Sequence, residues 1–191
     1  MSEYESLVTS AKRFGSKYAT SRSMWQGSPF EWILGLPSRT IGSVGEKLVQ
    51  EIFRGHGADV GRAVAGTDHD RVINGHRIEI KFSTLWSEKS EYVFQQIRDQ
   101  DYDYCVCLGI SPNSAHMWVV PKSVLMAPQK GLGSQHGGSE GVDTKWFSVD
   151  PTKPLPWLGD YGGELGTGIK VLLDAGKGTW PSKSLSASDL P

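Results

Sequence analysis

Two carboxylates and a lysine stand out in residues 66–83, which read G-T-D-H-D-R-V-I-N-G-H-R-I-E-I-K-F-S. Asp70 precedes a short apolar pair, Val72-Ile73, while Glu79 and Lys81 alternate with Ile78, Ile80 and Phe82. That alternation has the period of a half-buried strand, so Glu79 and Lys81 share one face and the three apolar residues the other. Between the runs lies Asn74-Gly75, a strong hairpin signal because both residues tolerate the positive φ of a type I′ turn. The turn folds Asp70 back toward Glu79, with Lys81 beside them. Carboxylate oxygens so placed suit a divalent cation and an activated water, next to an ammonium that can orient the water. A plainer reading uses the same residues as a solvated strand face bearing an i, i+2 ion pair.

The flanking elements must position these groups. Ile41, Val44, Leu48, Val49, Ile52 and Phe53 form one stripe of an amphipathic helix over 41–53, with Gly45 allowing close approach and Gly55 and Gly57 stopping the run. Glu46 lies at the edge of that stripe. Its spacing from Ser43 is that of a capping box, which makes it a helix cap on the plainest reading. Residues 58–65 read as a strand ahead of the hairpin. Residues 87–100 read as a helix with Tyr92, Val93, Phe94 and Ile97 inward, 104–110 as an apolar strand and 116–120 as another. The resulting order through residue 110 is helix, three strands, helix, strand.

With that order, Asp70 followed by Glu79-Ile80-Lys81 resembles the PD-(D/E)XK nuclease superfamily, to which most restriction endonucleases belong. The resemblance covers about residues 40–110. The proline that precedes the aspartate in the family is replaced by His69, and Asp68 is a rival for the aspartate's role. The resemblance implies an α+β fold with a central mixed sheet flanked by helices, an αβββαβ core carrying N- and C-terminal additions. It implies that Asp70, Glu79 and the Ile80 backbone carbonyl hold Mg²⁺ (or Mn²⁺), and that Lys81 orients the attacking water. Glu46 would then reach the metal site from its helix, the alternative to a cap. The activity implied is sequence-specific cleavage of double-stranded DNA in the manner of a type II restriction enzyme, leaving 5′-phosphate and 3′-hydroxyl ends. A repair or junction-resolving nuclease, and a non-catalytic nucleic-acid-binding module of the same fold, stay open as alternatives. A homodimer also stays open.

The remaining sequence bounds this reading. A chain of 191 residues fits one domain, taken as 1–181 with its core at about 40–120 and a disordered tail over 182–191. The net charge of −1 gives no global basic signal, so any DNA contact must use a locally basic surface. Gln95 and Arg98 on the second helix could touch a phosphate or simply face solvent. Ser134, Gln135 and His136 sit in the glycine-rich stretch 131–141, a surface loop or a loop that reads base edges. Cys105 and Cys107, at i and i+2, suit the core better than a metal site, since no second Cys/His pair has ligand spacing. Ser2 and Glu5 have capping-box spacing at the head of a helix over 3–14, and residues 15–28 read as a linker. Residues 162–168 lack a phosphate-loop pattern, and 169–173 form a last apolar segment. No signal peptide or membrane span is visible, which places the protein in the cytoplasm.

Overall fold

The computed structural model of the protein describes residues 3–63, 66–86, 88–127, 132–134 and 144–175. The alternating run around Glu79 becomes strand β3 (His76–Thr84), joined to β2 (Arg71–Ile73) by the expected tight turn. Asn74 and Gly75 take φ values of 49° and 81°, the left-handed pair a type I′ turn requires. The Asn74 side chain also accepts from the Asp59 N–H at 2.9 Å, which ties the turn to the chain entering β1 (Val60–Arg62). Strands β5 (Tyr104–Ile110), β6 (Ala115–Pro121) and β9 (Gly162–Glu164) complete a six-stranded sheet of order β1-β2-β3-β5-β6-β9. Only β3 and β5 pair in parallel, so the sheet is mixed. Arg77 locks that junction: its guanidinium meets the Asp103 carboxylate at 2.6 Å and its N–H donates to the same group at 2.8 Å.

One face of the sheet is covered by helices. Ile78, Ile80, Val106, Leu108, Met117 and Val119 pack there against Val49 and Phe53 of α2 (Ser38–Gly55) and Ile169 and Leu172 of α4 (Leu165–Ala175). Gly45 lets α2 sit close to β3, because a Cβ at that position would fall 2.3 Å from Cβ of Phe82. The other face is covered by a three-stranded sheet, β4 (Tyr92–Ile97), β7 (Gly133–Ser134) and β8 (Lys145–Val149) in the order β4-β8-β7. Tyr92, Phe94, Phe147 and Val149 pack there on Cys105, Cys107, Trp118 and Val120. Helix α1 (Glu3–Ser23), the short α3 (Lys122–Leu125) and two 3-10 turns, Glu31–Gly35 and Pro156–Tyr161, fill in the periphery. Among the described residues no helix is long and apolar enough to cross a membrane.

The expected fold class is therefore observed, with one element replaced. The described residues of the segment 87–100 form no helix; β4 of the second sheet runs through its middle, so the αβββαβ order does not hold at its fifth element. The physical reason is a bulge. Tyr92 and Phe94 alternate as strand residues, then the register shifts before Ile97, where Gln96 adopts φ 56°. That extra residue gives Phe94 and Ile97 a spacing of three, which imitates a helix in the sequence. Smaller differences follow from packing. Helix α1 runs on through most of the expected linker to Ser23, the strand over 58–65 shortens to β1, and the last apolar segment is part of α4. Ser2 and the tail from 182 onward lie outside the described residues.

Candidate active site

Asp70 is placed by an irregularity in the hairpin. Ile78 pairs with Arg71, yet the Asp70 N–H also reaches the Ile78 carbonyl at 2.9 Å. Two residues opposite one make a β-bulge, which bends the strand and re-aims a side chain. The Asp70 carboxylate then turns onto β3, where Oδ2 accepts from the Ile80 N–H at 2.7 Å. Strand β2 pairs only with residues 76–78, so the carboxylate takes the position a further strand residue would fill. The N–H and C=O of one strand residue point the same way, and so the Ile80 carbonyl emerges at this same edge.

Glu79 and Lys81 lie on the sheet face opposite Ile80, as the alternation requires. Lys81 Nζ meets Glu79 Oε1 at 2.7 Å. The Glu79 side chain is only 9 % exposed and that of Lys81 16 %, so this is a buried ion pair rather than a solvated strand face. Cys105 is the β5 register partner of Glu79, and Cys107 that of Lys81. Burial pushes the Glu79 carboxyl above its ordinary value; Lys81 opposes that shift and the nearby Asp70 carboxylate adds to it. Burial alone would lower Lys81, but the Glu79 carboxylate holds the ammonium above its usual value. Desolvating two charges costs several kcal/mol per ion, so such a pair is weak evidence for stability and a reason to look for chemistry. The cysteines belong to the floor. Their sulfurs are 3.8 Å apart in the core, and the bond to Cys107, with burial, raises the Cys105 thiol.

Glu46 approaches from α2. That helix begins at Ser38, so Ser43 is inside it and the capping-box reading of Ser43 and Glu46 is corrected. Glu46 Oε2 instead meets Arg71 Nη2 at 3.1 Å. Burial and the Asp70 carboxylate both push the Glu46 carboxyl above its ordinary value. Arg71 was one letter in the hairpin sequence and carried no signal of its own. Its neighbour Gln50 is four residues beyond Glu46, a spacing that could have suggested a shared partner. Asp68 lies in the exposed bend before the bulge.

The expected nucleic-acid contacts are scattered. Gln95 lines a shallow cleft of about 220 Å³ on the outer face of the second sheet, together with Trp86, Lys89, Val93, Trp146 and Ser148. Arg98 follows β4 and is exposed, and its carbonyl accepts from the Tyr102 hydroxyl at 3.1 Å. Both were expected on a helix, and neither is on one. Ser134 is the exposed end of β7, while Gln135 and His136 lie outside the described residues.

Mixed α+β architecture with an acidic edge next to a buried lysine is the class of structure these observations define. No family model matches the sequence, and no curated protein does. Among solved structures, the fold is similar to that of a bacterial homing endonuclease, I-Ssp6803I, with a TM-score of 0.52 and 13 % sequence identity. The match covers 75 % of this chain and 98 % of the other. At that identity the likeness is one of fold.

Proposed function

We propose that this chain is a divalent-cation-dependent endonuclease that hydrolyses phosphodiesters of double-stranded DNA, of the PD-(D/E)XK type. One observation carries the reading: Asp70, Glu79, the Ile80 carbonyl and Lys81 come together where β2 stops pairing with β3. The fold likeness to a homing endonuclease supports the substrate class.

The donor set fits Mg²⁺, or Mn²⁺ in its place. Among the described residues no three His, Cys, Asp or Glu side chains converge as a ligand cluster. Mg²⁺ does not need one, because it keeps several waters and is commonly held by one or two carboxylates. Asp70 and Glu79 would supply those, with the Ile80 carbonyl as a third hard oxygen. Each carboxylate has an oxygen outside the bonds to Ile80 and Lys81 described above. When bound, the cation neutralises charge on the phosphate and lowers the pKa of water.

The chain's own residues do the rest. Lys81, kept protonated by Glu79, donates to the attacking water and opposes the negative charge that builds on the phosphorus oxygens. Its rigid seat in β3 keeps that donor in one geometry. The Asp70 bond to Ile80 N–H fixes the carboxylate before substrate arrives. Products with 5′-phosphate and 3′-hydroxyl ends follow from the same reading, as does restriction-type sequence specificity.

Incubation of the purified protein with supercoiled plasmid and Mg²⁺ tests the proposal. Discrete bands are expected, lost on adding EDTA. A smear would retain the nuclease and remove the sequence specificity, and intact plasmid across a range of Mg²⁺ and Mn²⁺ would remove the activity itself.

A further inference from the structure

Arg71 lies on the opposite face of the sheet from Glu79, yet it reaches the same site through the backbone. Its register partner is Ile78, which puts its side chain toward α2. From there Nη1 donates to the Asp70 carbonyl at 2.5 Å, and Nη2 meets Glu46 Oε2 at 3.1 Å. With the Gln50 amide turned oxygen-first, that oxygen accepts from Arg71 Nη2 at 2.7 Å and from Nε as well. Glu46 and Gln50 are four residues apart on one helix face, so a single guanidinium can span both. The Arg71 side chain is 21 % exposed. Its planar fork thus serves partners on α2 and on the bulge at once, an arrangement an ammonium cannot reproduce.

We propose that Arg71 is a positioning residue: by clamping the Asp70 carbonyl to Glu46 and Gln50 of α2, it sets the bulge that aims the Asp70 carboxylate into the cation site. This rests on the nuclease reading above. The competing role for Arg71 is that of a fixed positive charge among carboxylates, and the two roles differ in sign. A bare charge repels a divalent cation, so removing it tightens cation binding. A clamp holds a ligand in place, so removing it weakens binding.

The test is a Mn²⁺ titration of the full chain, with free Mn²⁺ followed by electron paramagnetic resonance and plasmid cleavage measured alongside. Arg71→Met is expected to raise the Mn²⁺ Kd by about tenfold or more, the usual cost of losing a group that holds a metal ligand in place. Arg71→Lys keeps the charge and loses the fork, so it too weakens binding. Gln50→Leu, outside the acidic edge, moves the Kd in the same direction by less. In each variant, cleavage recovers in part as Mn²⁺ is raised. A wild-type or tighter Kd in Arg71→Met and Arg71→Lys overturns the clamp. Should Arg71→Met not fold by circular dichroism, Arg71→Lys and Gln50→Leu decide, and wild-type affinity in both is the refuting result. If the wild type binds Mn²⁺ and cuts no DNA, the nuclease reading falls, while the Kd shifts still establish the clamp. If the wild type binds no Mn²⁺, the clamp falls with it.

Discussion

Neighbouring residues of β3 live in two different environments, and the contrast explains how the site is made. Toward the helices, Ile78 and Ile80 meet Val49, Phe53 and the apolar side chains of β5 and β6, and every group there is served by packing. Toward the second sheet, Glu79 and Lys81 lie beside two cysteines and near a wall of aromatics, with a charge pair that packing does not need. The first face is stabilised by burial of apolar area. On the second face, burial raises the Glu79 carboxyl, Glu79 in turn holds the Lys81 ammonium above its usual value, and the two charged groups are held together with little exposure. At the centre of this one strand, parity separates two environments: Ile78 and Ile80 serve the apolar core, while Glu79 and Lys81 form a buried ion pair on the other face.

The comparison breaks if the odd-numbered face proves dispensable. Lys81→Ala should take cleavage below detection, a loss on the order of 10² to 10⁴ for removing a positioned proton-handling group. Fold by circular dichroism and DNA binding by gel shift should survive, with a lower melting temperature because Glu79 is left buried without its partner. Wild-type cleavage by this variant would remove the mechanism.

Asp70→Asn should lose activity at every Mg²⁺ concentration, because the bulge aims that carboxylate toward the Ile80 edge. Asp68→Asn, altering an exposed bend, should keep activity. Cleavage assays over a Mg²⁺ series rank the two, and the opposite ranking would mean that the cation sits elsewhere.

Glu46→Gln sharpens the comparison by separating charge from shape. Cleavage should fall by about a hundredfold, in line with losing a polar group next to a metal ligand. Stability should move the other way. Burial and Asp70 raise the folded-state Glu46 pKa above 4.5, so the folded protein binds this proton more tightly than the unfolded chain. The corresponding stability is fully present below pH 4.5 and is lost as pH rises through the raised value. At neutral pH the carboxylate is thus a cost that glutamine removes, while its amide oxygen can still accept from Arg71. Melting temperatures compared between pH 4 and 8 should show the variant gaining on the wild type as pH increases, at about the ordinary carboxylate range and above. A variant that melts lower at neutral pH would show that the Arg71 pair outweighs the burial.

The smallest effect belongs to the helix-covered face. Ile78→Val deletes one methylene at a fully buried position next to Glu79 and should cost about 0.5–1.5 kcal/mol by urea denaturation. Cleavage per folded molecule should not change. A clear loss of cleavage there would show that the two faces are coupled through β3.

Much of this was legible along the chain because its causes are local. Period-two alternation assigns Glu79 and Lys81 to one face whatever packs on them. Asn74-Gly75 closes a hairpin by its own backbone preferences, and the turn brings Asp70 near Glu79. Gly45 and the stripe on α2 were readable for the same reason, and Gly45 does meet Phe82. Other features were not local. The bulge before Ile97 gave a strand the spacing of a helix, because one inserted residue shifts the period and only the register with β8 reveals it. The start of α2 at Ser38 moved Glu46 from a cap to an ion pair with a residue 25 positions away.

What the sequence determined by itself, then, is which residues share a face and where the chain reverses. What the tertiary structure alone decided is what covers each face. Glu79 and Lys81 are buried beside Cys105 and Cys107 of β5, and Arg71 bridges the Asp70 carbonyl and Glu46 of α2, pairings between segments far apart in the chain. Periodicity and turn chemistry are properties of a few consecutive residues; desolvation and ion pairing are properties of whatever distant segments are brought alongside.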